Sequence, residues 1–262
     1  MGHVDPTTAF VELIQGPDEA IPLARAALLI AAHAYPDLDV DRELAALDDL
    51  ATGCPPGDLD EWHDRLFREL AFTGNSVDYH DPRNSFLNDV VRRRLGIPIT
   101  LAIVGIELGH RLGLHLTGIG MPGHFLLHHE GLPPVFIDPF DGGYLDEAGC
   151  EQRFRAVHGP DASFEPAYLA PVGPRAILGR MLANLRNAYL RARDYEATEW
   201  VLRLRLALPG AGPDARRDLS RLLARIGRFR EAATELEAQA EAEPSGAAEL
   251  LSEARQLRGR LN

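Results

Sequence analysis

The stretch from Asn84 to Gly143 constrains the fold most: NSFLNDVVRRRLGIPITLAIVGIELGHRLGLHLTGIGMPGHFLLHHEGLPPVFIDPFDGG. A Pro-containing turn leads into an apolar helical pattern, and short apolar runs bounded by Gly and Pro follow. SFLNDVVRRRLG predicts a helix ending at Gly96, the residue type that most easily takes a left-handed cap. Pro98 marks a hard stop, with a restart at Thr100. In LAIVGIELGHRLG, Leu101, Val104, Leu108 and Leu112 face inward, Gly105 and Gly109 allow close backbone approach, and Gly113 ends the helix. LHLTGIGMPG, HFLLHH and PVFIDPF read as strands. Helix followed by strands predicts an α+β core.

A hydroxyl, a histidine and a carboxylate occur in that order along the stretch: Thr100, His124 and Asp138. In a strand beginning at PGHF, alternation puts His124, Leu126 and His128 on one face and Phe125, Leu127 and His129 on the other. Gly123 and Gly120 permit close approach of a backbone or a ligand. Asp138, one strand later, is placed to accept from the ring N–H of His124 and fix its tautomer. Nucleophilic catalysis needs such a base and such an orienter. Thr100 is the candidate nucleophile, at a helix start where backbone N–H groups and the helix dipole stabilise an oxyanion. Those effects help a thiol far more than an alcohol, which must lose its proton in concert with attack. A Thr there also has a structural explanation as a helix N-cap, and the two roles are compatible.

Other residues either line the pocket or brace it. TGNSVDYHDPRNS, Thr73 to Ser85, is a turn-rich ordered loop that carries Tyr79, Arg83 and Asn84. Asn84 is expected to hydrogen-bond backbone near the site. Pro98 and Gly123 are read as supporting the pocket, and Asp141 in DPFDGG either supports it or serves a plain turn. His110, His115, His128 and His129 add metal-type donors to His124, Asp138 and Asp141. No HExxH spacing is present, so no metal or cofactor is expected. Cys54 and Cys150 form no metal-type pair, and so few cysteines fit a reducing compartment.

Residues 6 to 72 read as a helical layer: TTAFVELIQG with candidate N-cap threonines, IPLARAALLIAAHAYP, VDRELAALDDLATG and DLDEWHDRLFRELAF. His33 and His63 are read there as structural. From Pro171 no strand pattern remains, and Arg, Leu and Ala dominate helix pairs. Tyr195 and Phe229 are 34 positions apart, and Pro209 and Pro244 are 35 apart. That period predicts tetratricopeptide-like units with a final helix from Ala247 to Leu261. The alternative is a plain helical bundle. The expected domains are 1–72, 73–170 and 171–262.

Composition narrows the partners. A formal charge of −12 disfavours nucleic acid and anionic membrane. All 27 basic side chains are Arg, which excludes a lysine Schiff base or a P-loop lysine in this chain. No apolar run is long enough to span a membrane, and MGHVDPTTAF has no signal-peptide pattern, so a cytoplasmic setting is expected.

In FTGNSVDYHDPRNSFLNDVVRRRLGIPITLAIVGIELGHRLGL, GIGMPGHFLLHH and FIDPFDGG, the chain resembles the SirB-type family, which combines a transglutaminase-like core with tetratricopeptide repeats. NSFL, GIPITL, PGHF and DPFDGG are specific in combination, and the likeness extends over nearly the whole length. It implies a papain/transglutaminase-like fold with a nucleophile at the start of the central helix and His and Asp on adjacent strands. Thr100 stands where that pattern has cysteine, His124 matches the histidine and Asp138 the aspartate. The missing thiol argues against crosslinking or thiol proteolysis. Two functions remain open. One is a non-catalytic protein-binding or regulatory module, with a protein or peptide partner on the tetratricopeptide-like surface. The other is a hydrolase or acyltransferase that acts on an amide or ester through Thr100, His124 and Asp138.

Overall fold

The computed structural model describes residues 5–131, 134–243 and 246–260. Pro244 and Leu261, used above for the repeat and the last helix, lie outside the described residues. Four helices come first: α1 (Pro6–Ile14), α2 (Leu23–Ala32), α3 (Val40–Ala51) and α4 (Leu59–His63). Asp5, not a threonine, caps α1, accepting from Thr8 N–H at 3.0 Å. Asp outranks Thr as a cap, and Asp39 and Asp58 do the same for α3 and α4. The single helix expected across DLDEWHDRLFRELAF changes pitch after α4. Asp64–Glu69 is π-helical, with Leu70 N–H bonded to Arg65 C=O at 2.9 Å. Trp62 and Leu66 are buried, and the Trp62 indole N–H donates to Gly105 C=O at 3.1 Å.

The loop before the core opens with a short strand, β1 (Thr73–Gly74), and closes with a 3-10 turn at Pro82–Ser85. α5 (Leu87–Arg93) follows, then β2 (Leu95–Gly96), which pairs with β1 in parallel. This pairing overturns the expected cap. Arg94, at φ 60°, takes the left-handed position, while Gly96 belongs to β2. Gly96 is there for space: a Cβ would lie 3.1 Å from Thr100 Oγ1, Leu101 Cγ and Val90 Cγ1.

α6 (Pro98–Arg111) is the buried axis of the first unit. It starts at Pro98 rather than Thr100, because Pro suits the first helical position and holds Ile97 extended. Leu101, Val104, Leu108 and Leu112 are all buried, and Gly113 (φ 74°) ends the helix. Gly105 and Gly109 admit side chains of the sheet. A Cβ on them would come within 2.7 Å of Leu127 Cδ1 and of Leu116 Cδ1, respectively.

The sheet comprises β3 (Leu116–Ile119), β4 (Leu126–His129), β5 (Val135–Asp138), β6 (Gly143–Leu145) and β7 (Pro171–Val172). Its order is β6-β5-β4-β3-β7, with every neighbour antiparallel. β7 is a strand the sequence pattern missed, because two residues are too few to show alternation. Leu116 and Leu127 turn to α6. Ile119, Leu126 and Phe136 pack with Cys150 and Phe154 of α7 (Glu147–His158). His124 precedes β4 instead of lying in it. Gly123, at φ 75°, bends the chain, and His124 N–H closes the turn onto Met121 C=O at 3.0 Å, so strand alternation does not orient its ring.

The chain divides into two compact units, Met1–Met181 and Leu182–Asn262. α8 (Pro174–Ala192) begins in the first. The second holds the rest of α8 with α9 (Tyr195–Ala207), α10 (Pro213–Arg225), α11 (Phe229–Ala242) and α12 (Ala247–Gly259). Its core is built from Leu202, Leu219, Leu223, Leu236 and Leu250, with Ala232 and Ala254 at close crossings. Tyr195 and Phe229 open α9 and α11.

Candidate active site

Thr100 is the third residue of α6 and has no solvent exposure. Its oxygen accepts from Ile97 N–H at 3.3 Å, which is half of a capping box: the side chain reaches back to the residue at the helix entrance. It is therefore not the N-cap itself, since Ile97 holds that place. The hydroxyl has one proton and two carbonyl acceptors, Asn84 at 2.5 Å and Ile97 at 3.1 Å. Among the described residues His124 is not a hydrogen-bond partner of Thr100.

Asn84 is fully buried and ties the preceding loop together. Its amide donates to Asp78 C=O at 2.7 Å and Tyr79 C=O at 3.2 Å, and its Oδ1 accepts from Asn75 Nδ2 at 3.0 Å. Every polar atom of this side chain is engaged, as burial requires. The loop is in turn pinned to the sheet's far end by Gly74 N–H to Phe140 C=O at 2.8 Å. Tyr79, half-exposed, lies beside the Phe140 ring with centroids 6.3 Å apart. Burial raises its phenol above the ordinary value, against the opposing charge of Arg180. Pro98 is buried at the helix start.

His124 meets Asp138: Nε2 lies 2.7 Å from Oδ2 of a carboxylate that has no solvent exposure. With the Nε2 proton donated to Asp138, a neutral His124 keeps a lone pair on Nδ1. Asp138 Oδ1 accepts from Phe140 N–H at 2.9 Å, and Arg153 Nη1 stands 3.3 Å from Oδ2. Arg153 also holds Asp141 at 2.7 Å. Burial pushes the Asp141 carboxyl up, but the Arg153 and Gly143 hydrogen bonds and the Arg153 charge outweigh it and leave it below the usual range. Gly123 stands against α7, where a Cβ would meet Val157 at 2.8 Å and His158 Nε2 at 2.9 Å.

Two arginines complete the surroundings, and neither lies in a sequence motif. Arg153 sits on α7, which carried no motif. Arg180 lies on α8, in the segment read as part of the C-terminal helices. Arg180 Nη2 donates to His124 C=O at 2.5 Å and Nη1 to Met121 C=O at 3.0 Å, so it fixes the turn that presents the imidazole. Burial lowers its pKa from the ordinary guanidinium value. His33 and His63 are satisfied elsewhere. His33 bonds Leu29 C=O at 2.9 Å, and His63 bonds Gly142 C=O at 2.7 Å and stacks on Tyr144. Cys150 is buried with its thiol pushed up to about 12, chiefly by burial, which removes it as a nucleophile. Among the described residues no three His, Cys, Asp or Glu are grouped to hold a metal ion. Among them, too, no helix is long and apolar enough to cross a membrane.

The arrangement holds an imidazole and a carboxylate in hydrogen-bond contact, and a hydroxyl whose proton is directed at a backbone carbonyl. Such a pair can accept a proton from a bound group. Thr100 in this rotamer cannot pass its own proton to His124.

Comparison with known proteins finds a family and several relatives. Residues 40–183 match the transglutaminase-like superfamily. A UPF0162 protein of Xylella fastidiosa is 36% identical over 219 residues, which cover 77% of this chain and 76% of that one. A UPF0162 protein of Vibrio cholerae is 38% identical over 134 residues, half of each chain. Human F-box only protein 21 is 35% identical over 131 residues, 48% of this chain and 21% of its own. No solved structure matches.

Proposed function

Because the chain belongs to the transglutaminase-like superfamily but holds Thr100 as a buried helix-capping group, we propose that its core is a non-catalytic binding or regulatory module. One observation carries this reading: the only proton Thr100 could give up is donated to Asn84 C=O, 2.5 Å away, at a position closed to solvent. A serine-type nucleophile needs that proton on its base. In this reading the chain is of the SirB type, its C-terminal helices are tetratricopeptide-like, and a protein or peptide binds on them in the cytoplasm. The 34-residue offset between the openings of α9 and α11 supports the repeat.

A second reading has its own observation. The His124–Asp138 contact of 2.7 Å is the base-and-orienter half of an acyl-transfer site, and Arg180 and Arg153 hold both members. A hydrolase or acyltransferase acting on an amide or ester would use Thr100 after its side chain turned from Asn84 to His124. Broad acyl-enzyme probes separate the two. The expected result is no adduct on Thr100 in the wild type. An adduct on Thr100 that disappears in His124→Ala overturns the non-catalytic reading.

A further inference from the structure

A cavity of about 380 Å³ opens within the second unit, a size usual for ligand pockets. Four arginines and one aspartate line it: Arg186, Arg221, Arg225, Arg260 and Asp218. Its apolar lining comes from Leu190, Leu202 and Leu222. Leu190 is exposed, a large side chain without cover of its own.

The charges do not balance locally. Asp218 Oδ2 lies 2.6 Å from Arg186 and 3.5 Å from Arg205, and Oδ1 lies 3.8 Å from Arg221. One carboxylate thus serves three guanidinium groups. Arg225 has only neutral partners, bonding the Tyr195 hydroxyl at 2.9 Å and lying over its ring. Arg260 lies over the Phe229 ring, 5.7 Å from the centroid. Among the described residues neither Arg225 nor Arg260 forms an ion pair, and Arg186 Nε is buried without a hydrogen-bond partner. Several other arginines of this unit do have a carboxylate of their own: Arg203 with Glu199, Arg216 with Glu235, and Arg258 with Glu237. In a chain of net charge −12, four arginines and a single aspartate line a hollow with an apolar floor. Clustered guanidinium groups recognise carboxylates through charge-assisted, often bidentate hydrogen bonds.

We propose that this cavity binds an acidic peptide segment, with an aliphatic side chain on the leucine floor and flanking Asp or Glu carboxylates on Arg221, Arg225 and Arg260. The inference rests on the reading of the C-terminal helices as a partner surface, and it names the partner's chemistry. Nucleic acid would use the same arginines, but the floor offers aliphatic side chains and no aromatic stacking platform.

The test is calorimetric titration of the full chain with the acetylated, amidated peptide Glu-Glu-Leu-Glu-Glu, its Gln-Gln-Leu-Gln-Gln counterpart, a Lys-Lys-Leu-Lys-Lys counterpart and a single-stranded pentathymidylate. The acidic peptide should bind roughly tenfold or more tightly than each of the others, and more weakly as salt rises. Arg221→Glu with Arg225→Glu should cut that affinity by roughly tenfold or more. Both residues are exposed, so the fold should survive, and a thermal melt checks it. Equal binding of the Gln peptide, or an unaffected double variant, overturns the acidic chemistry and leaves a peptide surface standing. Tighter binding of the oligonucleotide overturns the peptide assignment. No binding by any of the three peptides overturns this inference and the partner-surface reading together, while the Thr100 probe result is untouched.

Discussion

Thr100→Val isolates what the hydroxyl does. Valine keeps the β-branch and nearly the volume but removes the oxygen. Asn84 C=O then loses its donor at 2.5 Å, and Ile97 N–H loses its acceptor at 3.3 Å. Thr100 and Asn84 are both fully buried, so solvent does not replace either bond. A lost capping interaction costs about 1 kcal/mol, and a buried carbonyl left unpaired about 1–3 kcal/mol. The expected destabilisation is therefore about 2–4 kcal/mol. Thr100→Ser keeps both bonds and loses one buried methyl, which costs about 1 kcal/mol. The chain has two tryptophans, Trp62 in the first unit and Trp200 in the second. In a Trp200→Phe background, guanidinium unfolding followed by Trp62 fluorescence reports the unit that contains Thr100. A Val variant as stable as the Ser variant would mean that the hydroxyl holds nothing.

Other perturbations test neighbouring parts of the structure. Gly74→Ala would put a Cβ 2.1 Å from the Phe140 ring, so the Asp138–Phe140 turn must move, at a cost of about 1–3 kcal/mol in the same unfolding assay. Burial holds the His33 pKa below its ordinary 6.5, so the unfolded chain binds more protons and stability is lost as pH falls from 6.5 through the lower folded value. The Tm of His33→Gln should fall less steeply than that of the wild type on acidification; parallel profiles would refute this. With Cys150 buried and its thiol pushed up to about 12, an aromatic disulfide reagent should modify only Cys54 in the native protein and both thiols after denaturation. Equal native rates at the two positions would contradict the burial.

Much of the central stretch was legible because its signals are local. The period of Leu101, Val104, Leu108 and Leu112, the stop at Gly113 and the short apolar runs are properties of adjacent residues. The start of α6 lies two positions before the expected restart at Thr100, since Pro98 is both a barrier to a preceding helix and a favoured first helical residue. Gly96 departs from its expected role as a cap for a different reason: its neighbour across the chain is β1, and no local pattern announces a two-residue parallel pairing. The turn at Gly123 similarly took His124 out of the alternation of β4. Asn84 was readable in kind, because a buried amide must find partners, though not in detail. Arg153 and Arg180 were invisible, since what they do depends on which carboxylate and which carbonyl folding brings to them.

The bonds made by α8 have a consequence for how the protein is synthesised. Arg175 reaches back 161 positions to Ile14 C=O, and Arg180 reaches back 56 to His124 C=O. β7, just before α8, completes the edge beside β3. A nascent chain that has emerged only as far as Asp138 holds both members of the imidazole–carboxylate pair but none of these late fastenings. The first unit thus waits on residues near its own end before its oldest segment and its histidine turn are secured. Long-range closures of this kind are slow, and their precursors expose apolar surface while they wait. The vulnerable period in the life of this chain lies before residue 180 has emerged.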